Sequence, residues 1–258
     1  MDFKWPFPEK MSPQYRLASN LTMFGVTALS KLWIDCFNYL TVHNKETLLK
    51  HVRDTSRPLI TVANHHSNMD DPLCWALFDW KFLFSELSEL RYTMTAHNIC
   101  FTNSVYTKFF SLGRCVPVVR GAGVYQKSVD FCIDRLNQNG WVHMFPEGKV
   151  NLSKDPMRLK WGVGRMIADC KEPPVVLPFW HLGFDDILPS TKPLYPRVCK
   201  KATILFGEPL DFATQLAHLR TTGATARQTR KAITDVIQDK MYRLEEPAKE
   251  LHLAQRSL

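Results

Sequence analysis

The sequence has no paired-cysteine motif. Its seven cysteines, Cys36, Cys74, Cys100, Cys115, Cys132, Cys170 and Cys199, never come closer than the 15 residues between Cys100 and Cys115. That excludes a CxxC redox pair and any metal-ligand spacing, so no metal is expected and the thiols read as small, reduced core residues. Internal repeats, low-complexity tracts and a linker are absent as well. At about 150 residues per domain, one α/β unit with additions accounts for the length. No module that reads nucleic-acid bases is present. Nothing at the start resembles a cleavable signal peptide, so the sequons at Asn20 and Asn151 carry no weight.

What is present is positive charge. Against 25 Asp+Glu stand 33 Lys+Arg, a formal charge of +8 in a chain that is 45% hydrophobic and 12% aromatic. The apolar share excludes a disordered or fibrous chain. The charge calls for a polyanionic partner, either nucleic acid or an anionic membrane surface, and composition does not choose between them.

From about Leu17 to Leu40 the pattern is that of an amphipathic helix. Leu17, Leu21, Phe24, Ala28, Leu32, Cys36 and Tyr39 recur at spacings of three and four, with Asn20, Thr27, Lys31, Asp35 and Asn38 opposite. Its longest uncharged run, Leu17 to Ser30, is 14 residues, whereas a span needs about 20 mostly apolar ones. Trp5, Phe7, Trp33 and Tyr39 suit a headgroup zone, which favours an interfacial helix over one buried in the core. The expected organisation is a membrane-associating segment over 1–40 and a catalytic domain over 41–258.

Beyond it, apolar runs bounded by Pro, Gly or Asn predict strands at Leu59 to Ala63, Cys115 to Val119, Trp141 to Phe145, Val175 to Trp180 and Ala202 to Phe206. Helical patterns fall at about 72–80, 104–111, 124–138, 161–170 and 224–246. The alternation predicts an α/β fold, with a central, mostly buried mixed sheet flanked by helices.

The densest polar cluster, Asn64-His65-His66-Ser67-Asn68-Met69-Asp70-Asp71-Pro72, follows the first of those strands. Pro72 pre-sets a helix start, and Asp70 or Asp71 can serve its free amides. An aspartate held there can accept the Nδ1 proton of a histidine five residues earlier, leaving Nε2 as a base for a hydroxyl. The pattern occurs twice in overlapping register, as His65…Asp70 and His66…Asp71, and spacing alone does not separate the two. Downstream, Gly113 to Arg120 carries a strand to an arginine suited to phosphate. Phe145-Pro146-Glu147-Gly148-Lys149 puts a carboxylate, a glycine and a lysine at another strand exit.

These blocks, in this order and followed by Val175-Val176-Leu177-Pro178, resemble the glycerolipid acyltransferase superfamily. Within it the chain resembles a transacylase branch along nearly its whole length, through Lys4-Trp5-Pro6-Phe7-Pro8, Met69-Asp70-Asp71-Pro72, Phe109-Phe110-Ser111-Leu112-Gly113 and Phe145 to Asn151. The family block begins Asn-His-x-Ser, which selects His65 with Asp70 as the catalytic pair. The resemblance implies Arg120, Glu147, Gly148 and Lys149 as substrate-binding residues. It also implies acyl transfer between phospholipids and lysophospholipids, remodelling cardiolipin with monolysocardiolipin as acceptor and phosphatidylcholine as donor. Most acyl-CoA-dependent members continue Pro-Glu-Gly with Thr-Arg or Thr-Ser, whereas this chain has Lys149-Val150, and its Gly113 to Arg120 spacing is one residue longer. Both departures imply no CoA and no other cofactor. The implied location is the mitochondrial membranes, inner and outer, facing the intermembrane space. With Asp2 and Glu9 in place of an Arg-rich presequence, targeting is expected to be internal. The competing readings are an acyl-CoA-dependent lysophospholipid acyltransferase and a basic, non-catalytic binder of membrane or nucleic acid.

Overall fold

Ser12 accepts a hydrogen bond from the Tyr15 amide and Pro13 occupies the first turn, so helix α1 (Pro13–Phe37) begins before its apolar periodicity does. At the other end Asn38 is extended (φ −142°) and its Oδ1 accepts from the Lys200 amide at 3.0 Å, while the Tyr39 amide donates to the Lys200 carbonyl at 2.9 Å. Tyr39 and Leu40, expected to continue the helix, instead open strand β1 (Tyr39–His43). The computed structural model describes residues 4–86, 90–190, 192 and 195–256.

The five expected strands form as β2 (Leu59–Ala63), β4 (Cys115–Val118), β5 (Trp141–Met144), β6 (Val175–Leu182) and β7 (Lys201–Phe206). They join β1 and β3 (Tyr92–Ala96) in one seven-stranded sheet of order β1-β7-β6-β2-β5-β3-β4. The sheet is mixed: β6 and β7 are antiparallel and every other neighbouring pair is parallel. Along β2 all five residues are buried, and their side chains alternate between two cores. Leu59 and Ala63 join the cluster under α1, α2 (Lys45–Arg53), α3 (Asp70–Cys74) and α4 (Trp80–Ser85). Ile60 and Val62 join the cluster under α7 (Lys127–Leu136), α8 (Gly162–Asp169), α10 (Ala213–Thr221) and α11 (Ala226–Tyr242). Burial on both faces is why these strands read as unbroken apolar runs. Each such Ile or Val is worth about 1.5–3 kcal/mol.

The expected 224–246 helix forms as α11, ending at Tyr242, and a further helix that the sequence reading did not include, α12 (Glu245–Arg256), follows it. Helices α5 (His97–Cys100), α6 (Ser104–Leu112) and α9 (Phe184–Ile187) complete the set used below. Because β2, β3, β4, β5 and β6 run the same way, the loops that leave their ends gather on one edge of the sheet, where open α/β folds keep their sites. Strand β6 outruns β2: Ala63 pairs with Phe179, and Trp180, His181 and Leu182 continue beside the loop that follows β2.

Candidate active site

Asp70 organises the loop after β2. It is fully buried at the first position of α3, and its Oδ2 accepts from the amides of His66 at 2.7 Å and Ser67 at 2.8 Å and from His65 Nδ1 at 2.9 Å. Burial pushes this carboxyl up, but His181, His65 and the Ser67 amide outweigh it and hold the group below its ordinary value, as a carboxylate. With its Nδ1–H given to Asp70, His65 keeps its lone pair on Nε2. The His65 ring lies flat on Phe145, with centroids 4.2 Å apart and planes 14° apart.

The geometry separates the two overlapping registers. Asp71 turns away, accepting from Trp75 Nε1 at 3.0 Å, Thr93 Oγ1 at 2.9 Å and the Arg91 guanidinium. His66 is buried, and burial with the neighbouring His181 lowers it to about 4. Ser67 donates from Oγ to the Leu188 carbonyl at 3.0 Å and accepts from the Met69 amide at 3.2 Å. A hydroxyl so used braces the loop.

The Phe145–Lys149 turn is tied to this loop, since the Asn151 amide donates to the His65 carbonyl at 2.6 Å and the Lys160 amide to that of Pro146 at 2.7 Å. Gly148 has φ +78°, and a Cβ there would meet Lys160 Cγ at 3.1 Å, so both backbone and space call for glycine. Glu147 is fully buried, and neither carboxylate oxygen has a well-formed hydrogen bond. Burial pushes it up to about 8, against weaker pulls from the His65 amide and the Asn151 side chain. Lys149 is exposed. Arg120 is exposed in the turn after β4, which Gln126 clamps by accepting from the Val119 amide at 3.0 Å and donating to the Gly123 carbonyl at 2.6 Å. Three strand spacings separate β4 from β2, about 14 Å. The structure therefore joins His65, Asp70, Glu147 and Gly148 in one cluster, leaves Lys149 exposed next to Gly148, and puts Arg120 three strands away, outside the cluster.

Two buried histidines escape sequence reading. His181 closes β6: its Nε2–H donates to the Asn64 carbonyl at 2.7 Å and lies 3.5 Å from Asp70 Oδ2. The Asn64 side chain extends the ladder, donating to the His181 carbonyl and accepting from its amide, both at 2.9 Å. His143, on β5, bonds Thr61 Oγ1 through Nδ1 at 2.9 Å, and burial lowers it to about 3. The available signal was a polar residue at the exit of an apolar strand, Trp180-His181. Among the described residues no group of three or more His, Cys, Asp or Glu forms a metal-holding cluster.

Comparison with known proteins follows the same lines. A family profile described as Acyltransferase matches residues 39–182, which contain every residue of this cluster. The chain is 38% identical over 252 residues to the Drosophila melanogaster protein named Tafazzin, covering 96% of this chain and 66% of that one. It is 39% identical over 203 residues to Dictyostelium discoideum Taffazin, of which it spans 70%. It is also 39% identical over 202 residues to an Arabidopsis thaliana protein named N-acylphosphatidylethanolamine synthase, again spanning 70%. The crystal structure of the 1-acyl-sn-glycerophosphate acyltransferase PlsC from Thermotoga maritima has the same fold, with a TM-score of 0.59 at 16% identity over 89% of this chain and 81% of that one. With the family profile matched over more than half of the chain and 70% of the Dictyostelium protein covered at 39% identity, the chain belongs to the acyltransferase family, among the tafazzins.

Proposed function

We propose that the protein is a CoA-independent transacylase that moves acyl chains between phospholipids and lysophospholipids, and that its substrates are cardiolipin lipids, with monolysocardiolipin as acceptor and a phosphatidylcholine-type donor. The observation that carries this reading is the 2.9 Å contact between His65 Nδ1 and Asp70, which leaves Nε2 as the basic nitrogen of a half-buried imidazole. His65 Nε2 takes the proton from an acceptor hydroxyl, and the oxygen attacks the donor's ester carbonyl. The tetrahedral intermediate then expels the donor's glycerol oxygen, which recovers the proton from His65. The acyl chain has changed glycerol backbones and the enzyme is unchanged. A base so placed contributes on the order of 10²–10⁴-fold.

Arg120 and Lys149, both exposed, suit lipid phosphates. Glu147, protonated at neutral pH by its burial, suits a glycerol hydroxyl better than it suits a cation. Its closeness to the His65 loop would align that hydroxyl with the base.

Membrane association is supported by the way α1 lies. Ser19, Met23, Thr27, Ser30 and Ile34 face the protein, while Leu17, Leu21, Leu29 and Leu32 face outward, Leu29 with 70% of its surface exposed. The helices packed on α1 also carry exposed apolar side chains: Phe84 on α4, 5.2 Å from Phe24, and Val105 and Phe109 on α6, which Ser19 binds through the Leu112 carbonyl at 2.8 Å. Among the described residues no helix is long and apolar enough to cross a membrane. An interfacial helix fits this surface, with exposed Lys81 and Lys108 beside it worth about 1 kcal/mol each near anionic lipid. We propose a location on mitochondrial membranes facing the intermembrane space; kinship with the tafazzins supports the mitochondrial part of that reading.

The test is transfer of labelled acyl chains from phosphatidylcholine to monolysocardiolipin in vesicles, with and without acyl-CoA. Transfer without CoA, lost in His65→Ala and kept in His66→Ala, is expected. Turnover only with acyl-CoA would convert the reading to a CoA-dependent acyltransferase. Product on the amine of phosphatidylethanolamine would replace the hydroxyl acceptor with that in the Arabidopsis relative's name.

A further inference from the structure

We infer that His181 is a positioning residue for the His65–Asp70 pair: a second imidazole, locked as an N–H donor, that fixes the Asp70 carboxylate and the chain leading to His65. The inference rests on the proposed role of His65 as base.

Three contacts support it. The His181 Nε2–H sits 2.7 Å from the Asn64 carbonyl and 3.5 Å from the same Asp70 oxygen that receives His65, so a single carboxylate oxygen faces two imidazoles. The paired Asn64–His181 bonds, each 2.9 Å, stitch β6 to the residue directly before His65. The ring itself is fully buried and walled by Phe184 at 5.1 Å and Phe145 at 6.4 Å. The titratable groups that face it are Asp70, His65, His66, His143 and Asp185, the last paired with Lys154 at 2.6 Å. Burial outweighs the pull of Asp70 and the Asn64 carbonyl, so the ring stays neutral with its proton on Nε2. A fully buried ring whose Nε2–H is committed to the Asn64 carbonyl has no access to an acceptor hydroxyl and is not itself the base. Its N–H dipole does two things: it helps keep Asp70 ionised, and it draws part of the carboxylate's charge away from His65. Losing it leaves more of the carboxylate's charge on the His65 side, which strengthens its hold on the imidazolium formed during turnover.

The test compares His181→Phe and His181→Leu, which lack a donor, with His181→Gln, whose amide carries two hydrogens and can serve Asn64 and Asp70 together. Activity is transfer between phosphatidylcholine and a lysophospholipid in vesicles, with His65→Ala alongside. The Phe and Leu variants are expected to lose roughly 10–100-fold in kcat, less than the base itself supplies, with KM nearly unchanged and the acid limb of the pH profile moved upward. The Gln variant is expected to recover most of the activity and to return the acid limb. Wild-type kcat and acid limb in a folded Phe or Leu variant would overturn the inference. So would a Gln variant as impaired as Phe, or loss of folding in both donor-free variants with Gln stable, which would assign the residue to stability alone. If His65→Ala retains activity, it is the underlying reading of the site that fails; if only the His181 variants behave as wild type, that reading stands and this one falls.

Discussion

Phe145 lies flat against the His65 imidazole at 4.2 Å and edge-on to His143 at 4.5 Å, so the proposed base is held between a carboxylate at Nδ1 and an aromatic plane on its face. Stacking of this kind is worth about 0.5–1.5 kcal/mol beyond burial, and here it fixes the ring's tilt. Phe145→Leu should keep the buried volume and lose the plane. The expected outcome is a fall of roughly 3–10-fold in kcat, in line with that stacking energy, with little change in KM. Phe145→Tyr, which keeps the ring plane, should retain activity. Steady-state kinetics of acyl transfer in vesicles measure both.

The two adjacent aspartates should separate by phenotype. Asp70→Asn replaces the carboxylate that holds His65 Nδ1–H, and turnover should fall by a factor on the order of 10²–10⁴, as expected when a general base loses its orientation. Asp71→Asn leaves the Arg91 guanidinium buried without its carboxylate, and removing one partner of a buried pair costs about 3–5 kcal/mol. Thermal unfolding should therefore drop sharply in Asp71→Asn. Equal effects of the two variants on the activity of folded protein would contradict the separation of roles.

Much of this arrangement was legible because strand exits announce themselves. Leu59 to Ala63 is apolar at every position and is followed at once by Asn, His, Ser and Asp, so both the strand and the site could be read from one stretch. Strand β3 could not: Tyr92-Thr93-Met94-Thr95-Ala96 mixes polar and apolar positions because Thr93 is spent on Asp71. Strand β1 was hidden because Tyr39 falls in step with the preceding helix, and what ends that helix is a bond to Lys200, 162 residues from Asn38. The choice between Asp70 and Asp71 depends on Arg91, 20 residues beyond Asp71, and on amides whose direction is set only by the turn. His181 reaches Asp70 across 111 positions, which no local pattern encodes.

Glu147 makes a prediction about pH and stability. Its folded value, about 8, lies above the ordinary 4.5, so between those values the native state holds a proton that the unfolded chain has released. Stability from this group therefore falls as pH rises from about 4.5 to about 8 and levels off above. Glu147→Gln has no carboxyl to ionise at any pH in this range. Its melting temperature relative to wild type should rise across that interval, with the largest advantage at pH 9. A constant difference between pH 5 and pH 9 would show that the carboxyl is already ionised in the native state.

The outward face of α1 separates membrane binding from chemistry. Leu21 and Leu29 are exposed, at 63% and 70%, and touch none of the residues in the His65 cluster. Replacing both with Glu removes apolar area from the lipid-facing side and adds two negative charges, each opposed by an anionic surface at about 1 kcal/mol. Binding to vesicles rich in anionic phospholipid should weaken by at least 10-fold in a sedimentation assay, while the unfolding temperature changes little because neither side chain packs in the core. Transfer from vesicular donors should fall with binding, and transfer between short-chain lipids dissolved as monomers should persist, since His65 and Asp70 are undisturbed. Unchanged vesicle binding in the double variant would move the membrane contact away from α1. The exposed Phe84, Val105 and Phe109 would then be the next positions to change, because they are exposed apolar side chains on α4 and α6, the helices that pack against α1.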